Sequence, residues 1–130
     1  MSQENVEVLR AGFEAWNAGD MDALRDLYDP AVTWRGPEGW PEPGPFVGRD
    51  AVMRQLEQMR ETWDADAAEP VEFIDAGESV VGRFIWRGMG QGPEADIAAS
   101  SVCTMRDGKI PAIDYFWDHA EALEAAGLAG

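Results

Sequence analysis

Residues 79–117 read SVVGRFIWRGMGQGPEADIAASSVCTMRDGKIPAIDYFW, and this stretch predicts three successive strands. The strand patterns, rich in β-branched and aromatic residues, cover Ser79 to Arg87, Ala95 to Arg106 and Lys109 to Trp117. Gly88 to Glu94 and Asp107-Gly108 separate them as turns. Because these connections are short, the strands are expected to pair as antiparallel hairpins.

A fourth strand pattern and a set of helical patterns lie upstream. Val71 to Asp75 predicts a strand joined to the next by a turn at residues 76–78. The first helix is indicated by an apolar residue every three or four positions, at Val6, Leu9, Phe13 and Trp16. Asp20 is predicted to cap a second short helix. A first strand is predicted at Ala31 to Arg35.

A third helix and a last helix complete the pattern. Asp50 is predicted to cap the third helix, whose apolar stripe is Val52, Leu56, Met59 and Trp63. Asp118 is predicted to cap a short C-terminal helix that ends near Gly127. Helices followed by consecutive strands favour an α+β fold, with the helices on one face of a mostly antiparallel sheet.

The segment Gly36 to Gly48 lacks the pattern of a helix or a central strand, because eight of its 13 residues are Pro or Gly. It carries Trp40 and Phe46, which we expect to hold it against the body of the protein. Long irregular segments of this kind often form the rim or lid of a site.

Composition limits the class of protein. The 130 residues suit a single domain spanning 1–130. With 25 acidic and 10 basic residues, the net charge of −15 argues against nucleic acid or an anionic membrane surface as a partner. No membrane-length apolar run and no charged-then-apolar leader is present, so we expect a cytoplasmic protein.

The sequence predicts no metal and no cofactor. One His and one Cys are too few for a tetrahedral metal site, and no glycine-rich phosphate motif opens a helix. Cys103 has no partner for an internal disulfide, and its apolar surroundings favour a small core residue.

Several short sequence segments, taken in order, resemble the nuclear-transport-factor-2-like superfamily and, within it, the SnoaL-like polyketide-cyclase group. They are FEAWNAGD (13–20), LRDLYDPAVTW (24–34), FVGRDAV (46–52), GKI (108–110) and DHAEALEAAGL (118–128). The resemblance implies a cone, in which a strongly curved, mostly antiparallel sheet wraps the N-terminal helices around a cavity and a short helix ends the chain. It also implies pairing of two copies through the sheet.

The catalytic groups of the superfamily do not carry over. The resemblance places the isomerase groups at Gly36, Gly12 and near Ser100, where the needed side chains are missing. It matches the epoxide-hydrolase arginine with Arg83, but the acids fall on Ile85 and Tyr115. Asp114, His119 and Tyr115 stay as weak catalytic candidates, and a bulge would be needed to turn Asp114 inward.

Two interpretations of the strand at residues 79–87 disagree. Hydropathy places Phe84 and Trp86 in the core and the arginines in water. The resemblance places Arg83 and Ile85 in the cavity, which leaves Phe84 and Trp86 on the outer face as a homodimer surface. We adopt the second interpretation as the prediction.

The resulting function is binding of a small hydrophobic or cyclic organic molecule in an apolar pocket, with isomerase, cyclase or hydrolase activity left open. The predicted pocket residues are Phe13, Trp16, Trp34, Arg83, Ile85, Arg87, Ile97, Ala99, Ser101, Cys103, Ile113, Tyr115 and Trp117. One alternative is a non-catalytic homodimeric ligand-binding or interaction module, and another is a solid core in which the aromatic side chains leave no cavity.

Overall fold

The structure is a computed structural model, and it describes residues 2–63, 65–90 and 95–128. Its helices are α1 (Ser2–Ala18), α2 (Met21–Leu27), α3 (Arg49–Glu61) and α4 (His119–Ala125). Its strands are β1 (Tyr28–Arg35), β2 (Phe46–Val47), β3 (Ala65–Asp75), β4 (Ser79–Met89), β5 (Ala95–Arg106) and β6 (Lys109–Phe116).

These strands form one curved sheet in the order β2-β1-β6-β5-β4-β3. β1 and β6 run parallel, and the other neighbours are antiparallel. The last four strands pair in succession as antiparallel neighbours, since short connections return the chain alongside itself. The predicted α+β class, with a mostly antiparallel curved sheet and a short C-terminal helix, is confirmed.

The first helix, α1, packs on one face of the sheet, which we call the concave face. Leu9 lies so close to β4 that a Cβ added to Gly82 would meet Leu9 Cδ2 at 3.0 Å. Near the other end of the helix, the Asn17 side chain bonds both the N–H and the C=O of Ala68 in β3, at 2.8 Å each. These contacts fix α1 across β4 and β3.

The last helix, α4, packs on the opposite, convex face. Its fully buried Ala122 contacts a small cluster with Val81 and Val102, whose neighbours Val80 and Cys103 belong to the concave core. Asp118 caps α4 as predicted, accepting a hydrogen bond from the Ala120 N–H at 2.8 Å. The expectation that all helices share one face is therefore wrong, because the convex valines also need cover from water.

Three strand boundaries differ from the sequence prediction by two residues or more, and β6 ends one residue early, at Phe116. β3 starts at Ala65 rather than Val71, and backbone pairing with β4 sustains the added residues. β1 starts at Tyr28 rather than Ala31, through a pairing with Ile110. β4 ends at Met89 rather than Arg87, within the segment predicted as a turn. Residues 91–94 of that predicted turn lie outside the described residues.

The Pro- and Gly-rich segment contains the short edge strand β2 and is closed by a hydrogen bond from the Gly36 N–H to the Pro43 C=O, 2.8 Å long. α3 begins directly after it with Gly48 at the N-cap position. The predicted cap Asp50 instead lies in the first turn and accepts a 2.5 Å hydrogen bond from Arg25, which lowers the pKa of its carboxyl group.

Candidate functional site

A cavity of about 140 Å³ lies between the helices and the concave face of the sheet. Of the predicted pocket residues, the structure brings together on its wall Phe13, Trp16, Trp34, Ile97, Ala99, Ser101, Ile113, Tyr115 and Trp117. They come from α1, β1, β5, β6 and the residue just after β6. These side chains surround the cavity rather than filling it, which favours the predicted pocket over a solid aromatic core.

The orientation predicted for β4 is wrong. Phe84 is 8% exposed and lines the cavity together with Trp86. Phe84 pairs with Ala99 and Trp86 pairs with Ile97 across the β4–β5 ladder. Because directly paired residues share a face, the inward position of Ala99 and Ile97 requires Phe84 and Trp86 to point inward as well. Hydropathy alone gave the correct face.

The three β4 residues predicted inside lie on the convex face. Arg83 is exposed, and Ile85 and Arg87 are partly buried, none of them on the cavity wall. Arg87 forms ion pairs with Glu69 and, at 3.5 Å, with Asp96. A charged side chain inside an apolar cavity would need a partner there, and the convex face supplies carboxylates and water instead.

Two further predictions change with this orientation. Phe84 and Trp86 are unavailable as a dimer surface, so that assignment is wrong, and the homodimer stays a prediction without it. Cys103 lies in the concave core but is absent from the cavity wall. Burial raises the pKa of its thiol to about 12, which suits the predicted role as a core residue.

Two of the weak catalytic candidates lie away from the cavity. Asp114 points to the convex face, 4.0 Å from Arg35, and the regular β5–β6 pairing around it contains no bulge to turn it inward. Burial raises the pKa of its carboxyl group, and Arg35 partly offsets the rise. His119 Nδ1 lies 2.7 Å from the buried Ser100 Oγ, also on the convex face.

The third candidate, Tyr115, is on the cavity wall. Its ring contacts Trp34 at a centroid distance of 5.3 Å and Phe84 at 5.9 Å. Burial raises the pKa of the Tyr115 hydroxyl well above its usual value, so the group is protonated throughout the physiological range. Tyr115 therefore offers the cavity a neutral hydroxyl.

A carboxylate that the sequence did not single out fixes two of the aromatic walls. Asp66 Oδ2 accepts hydrogen bonds from Trp16 Nε1 at 2.6 Å and from Trp86 Nε1 at 3.0 Å. The guanidinium of Arg60 covers the outer side of Trp16, 4.5 Å from the ring centroid. Asp66 joins α1 to β4 through their indoles, which holds both rings in place at this end of the cavity.

The mouth of the cavity is marked by Trp117, which is 44% exposed although it also contributes to the wall. Its ring faces Trp40 at 6.0 Å, and its Nε1 donates a 2.7 Å hydrogen bond to the Glu38 C=O. The Pro- and Gly-rich segment therefore forms part of the rim, with Pro37 and Trp40 on the cavity wall.

The remaining wall residues missed by the site prediction are apolar residues and one tyrosine. Leu9, Leu56 and Met59 belong to the apolar stripes predicted for the first and third helices, so a signal for them was present. Leu24 lies in the second helix, after its predicted cap Asp20. Tyr28 was not predicted because the first strand was expected to begin after it. Its hydroxyl is deeply buried, and burial raises its pKa.

Within the described ranges, no three His, Cys, Asp or Glu side chains come together as a metal site. No helix in the same ranges is long and apolar enough to cross a membrane.

Residues 9–113 match the model of the SnoaL-like domain family. The chain therefore belongs to this family, and with it to the nuclear-transport-factor-2-like superfamily that its sequence resembles. No curated protein sequence gives a match.

Solved structures share the fold at low sequence identity. Bal32a, from a soil-derived mobile gene cassette, is 22% identical with a TM-score of 0.82, covering 88% of each chain. TerC, co-crystallised with polyporic acid, is 23% identical over 95% of this chain and 98% of its own, with a TM-score of 0.79. A putative polyketide cyclase from Sinorhizobium meliloti is 21% identical over 88% and 98%, with a TM-score of 0.72.

Proposed function

We propose that this protein binds a small, cyclic and largely apolar organic molecule in the aromatic cavity. The hollow itself carries the proposal. Its volume is about 140 Å³, and apolar side chains make up most of its wall. An apolar cavity of about 150 Å³ in another protein stays dry and binds benzene, so a single ring system is a suitable occupant here.

Binding is proposed ahead of catalysis because of what the wall contains. Isomerase, cyclase and hydrolase chemistry each need a group that moves protons. Asp114 and His119 lie on the convex face, and no carboxylate, imidazole or basic side chain of the described ranges is on the cavity wall. Tyr115 alone among the three candidates reaches the cavity, and its raised pKa keeps the hydroxyl protonated, so it is not available as a base.

Two structural neighbours give modest support for a small-molecule site. The TerC structure was obtained with polyporic acid. A further neighbour, with a ketosteroid-isomerase-like fold and from Catenulispora acidiphila, was solved in complex with trimethylamine and has a TM-score of 0.76. The ligands differ, which agrees with a fold that fixes the location of a site rather than its chemistry.

A titration with indane, a neutral bicyclic hydrocarbon, tests the proposal. The variant Ala99→Leu adds a larger side chain at a buried position on the cavity wall, next to its cross-strand partner Phe84. The matched control is Ala98→Leu, since Ala98 is the exposed neighbour on the other face of β5. Calorimetry measures both affinities, and thermal melts show that both variants are folded.

We expect Ala99→Leu to weaken indane binding at least tenfold and Ala98→Leu to change it less than twofold. The expected loss reflects the volume taken from the cavity, because an added side chain excludes the ligand. Failure of the unaltered protein to bind indane, or equal affinities in the two variants, would refute the proposal.

A further inference from the structure

A polar groove of about 450 Å³, which we call the arginine groove, lies where α2, β1, β2 and the start of α3 meet. Among the described residues, none lines both this groove and the aromatic cavity. The charged residues of its lining are three arginines and one carboxylate, namely Arg25, Arg49, Arg54 and Asp50. The groove is therefore positive, although the chain as a whole has 25 acidic and 10 basic residues.

The single carboxylate of the groove is engaged by one of the three arginines. Asp50 Oδ1 accepts a 2.5 Å hydrogen bond from Arg25 Nη2, so these two charges offset each other. Within the described ranges, neither Arg49 nor Arg54 has an ion-pair partner. Two guanidinium charges of the groove are thus left without a carboxylate of their own.

Arg49 shows the most specific sign of a contact that is not made. Its Nε is buried and has no hydrogen-bond partner in the part of the chain that the structure describes. A charged N–H that has lost water without gaining an acceptor is costly. An exposed arginine such as Arg83, on the convex face, has no such cost because water reaches it. An anion in the groove would supply the acceptor that Arg49 lacks.

The start of α3 adds donors of a second kind. Residues 48–51 line the groove, and Gly48 at the N-cap position has no side chain to accept a hydrogen bond from the first turn. The first N–H groups of a helix have no partner within the helix, and the helix dipole favours a negative charge beside them. Here the helix start lies in the same groove as two unpaired guanidinium groups, and both features favour an anion.

We infer that the arginine groove binds a phosphate group, either as the free anion or as the monoester of a small molecule. The two charges of a phosphate dianion match the two guanidinium charges that Asp50 leaves unpaired. Phosphate oxygens also accept hydrogen bonds from guanidinium forks and from the N–H groups of a helix start. The inference goes beyond the proposed function, and because the two sites are separate, either can be refuted without the other.

The test titrates ¹⁵N-labelled protein with methyl phosphate, inorganic phosphate and methanesulfonate at pH 8. The two phosphates are mostly dianions at this pH, since the second pKa of a phosphate ester is about 6. Methanesulfonate presents a similar head of three oxygens with one negative charge. The backbone amide signals of residues 49–51 report where each probe binds and with what affinity.

We expect methyl phosphate to bind at least about fivefold more tightly than methanesulfonate, because of its second charge. Arg49→Gln should weaken methyl phosphate binding about fivefold to tenfold, the effect of one charge-assisted hydrogen bond. The matched control Arg83→Gln removes the same charge from the convex face. It should change the affinity less than about twofold at physiological ionic strength, where charges more than about 8 Å away are largely screened.

Asp50→Asn should change the affinity in the opposite direction. The substitution releases Arg25 and removes the negative charge that faces it, so methyl phosphate should bind about threefold more tightly or better. A gain of affinity cannot come from a variant that fails to fold. The matched control Glu61→Gln removes an exposed carboxylate at the other end of α3, and it should leave the affinity within about twofold.

Several results would overturn the inference. They are the failure of both phosphates to shift the amide signals of residues 49–51, equal affinities for methanesulfonate and methyl phosphate, and equal losses in Arg49→Gln and Arg83→Gln. Weaker binding by Asp50→Asn would also overturn it. Binding of either phosphate with the expected pattern supports the inference, and the tighter of the two identifies whether the groove binds the free anion or the ester.

Discussion

The concave and convex faces of the sheet differ most clearly along β4, where neighbouring residues alternate between them. Phe84 and Trp86 close an aromatic hollow on the concave side, whereas on the convex side Arg83 is exposed and Arg87 forms ion pairs with Glu69 and Asp96. A chain with a net charge of −15 thus keeps the cavity wall uncharged across the described ranges. The difference teaches that burial of aromatic area, rather than the arginine position implied by the resemblance, determines which way β4 faces.

The largest expected effect contrasts two adjacent residues of β4. Phe84→Ala removes a buried ring that contacts both Phe13 and Tyr115, at centroid distances of 5.4 and 5.9 Å. We expect a loss of about 3 kcal/mol in the free energy of unfolding, measured by urea denaturation. Ile85→Ala, on the convex face, should cost less than about 1 kcal/mol. Equal costs, or a larger cost at Ile85, would contradict the assignment of faces.

An intermediate effect is expected where α1 is attached to the concave face. Asn17→Ala removes both hydrogen bonds to the Ala68 backbone, and part of that loss is recovered by water. The predicted cost is about 1.5 kcal/mol in the same assay. The control Asn5→Ala removes a single exposed hydrogen bond to the Gly77 C=O, and it should cost under about 0.5 kcal/mol. A silent Asn17 variant would show that the attachment does not stabilise α1.

The smallest effect concerns Asp114 on the convex face, and it depends on pH. Burial raises the pKa of this carboxyl group in the folded state, so the folded protein holds the proton more tightly than the unfolded chain. Asp114 therefore disfavours folding at pH values above its folded pKa, and this penalty disappears as the pH falls below the unfolded value. Asp114→Asn should raise the melting temperature slightly at pH 7 and not at pH 3. A uniform shift at both pH values would exclude this cause.

The elements that were predicted well are those with a local signal. The stripe of α1, the caps Asp20 and Asp118 and the full extent of β5 follow from spacing within a few residues. The strand parity adopted from the resemblance also placed Ile97, Ala99, Tyr115 and Trp117 toward the cavity, and all four lie on its wall. The resemblance of five short sequence segments to the SnoaL-like group led correctly to the family.

The features that were missed depend on contacts between distant residues. β4 carries apolar residues on both faces, so hydropathy and the resemblance gave opposite orientations, and its register with β5 decides between them. Asp66 lies in the run ADAA (65–68), which has little strand propensity and becomes part of β3 only through pairing with β4. Asp66 forms hydrogen bonds with the indoles of Trp16 and Trp86, which lie 50 and 20 positions away in the sequence. A local sequence pattern cannot predict contacts over such separations.

The most direct test of the account is a crystal structure of the protein soaked with indane. The account predicts ligand density between Phe84, Ala99 and Tyr115, with the Arg83 guanidinium in solvent on the other side of the sheet. A filled interior without density, or Arg83 turned toward the helices, would contradict it.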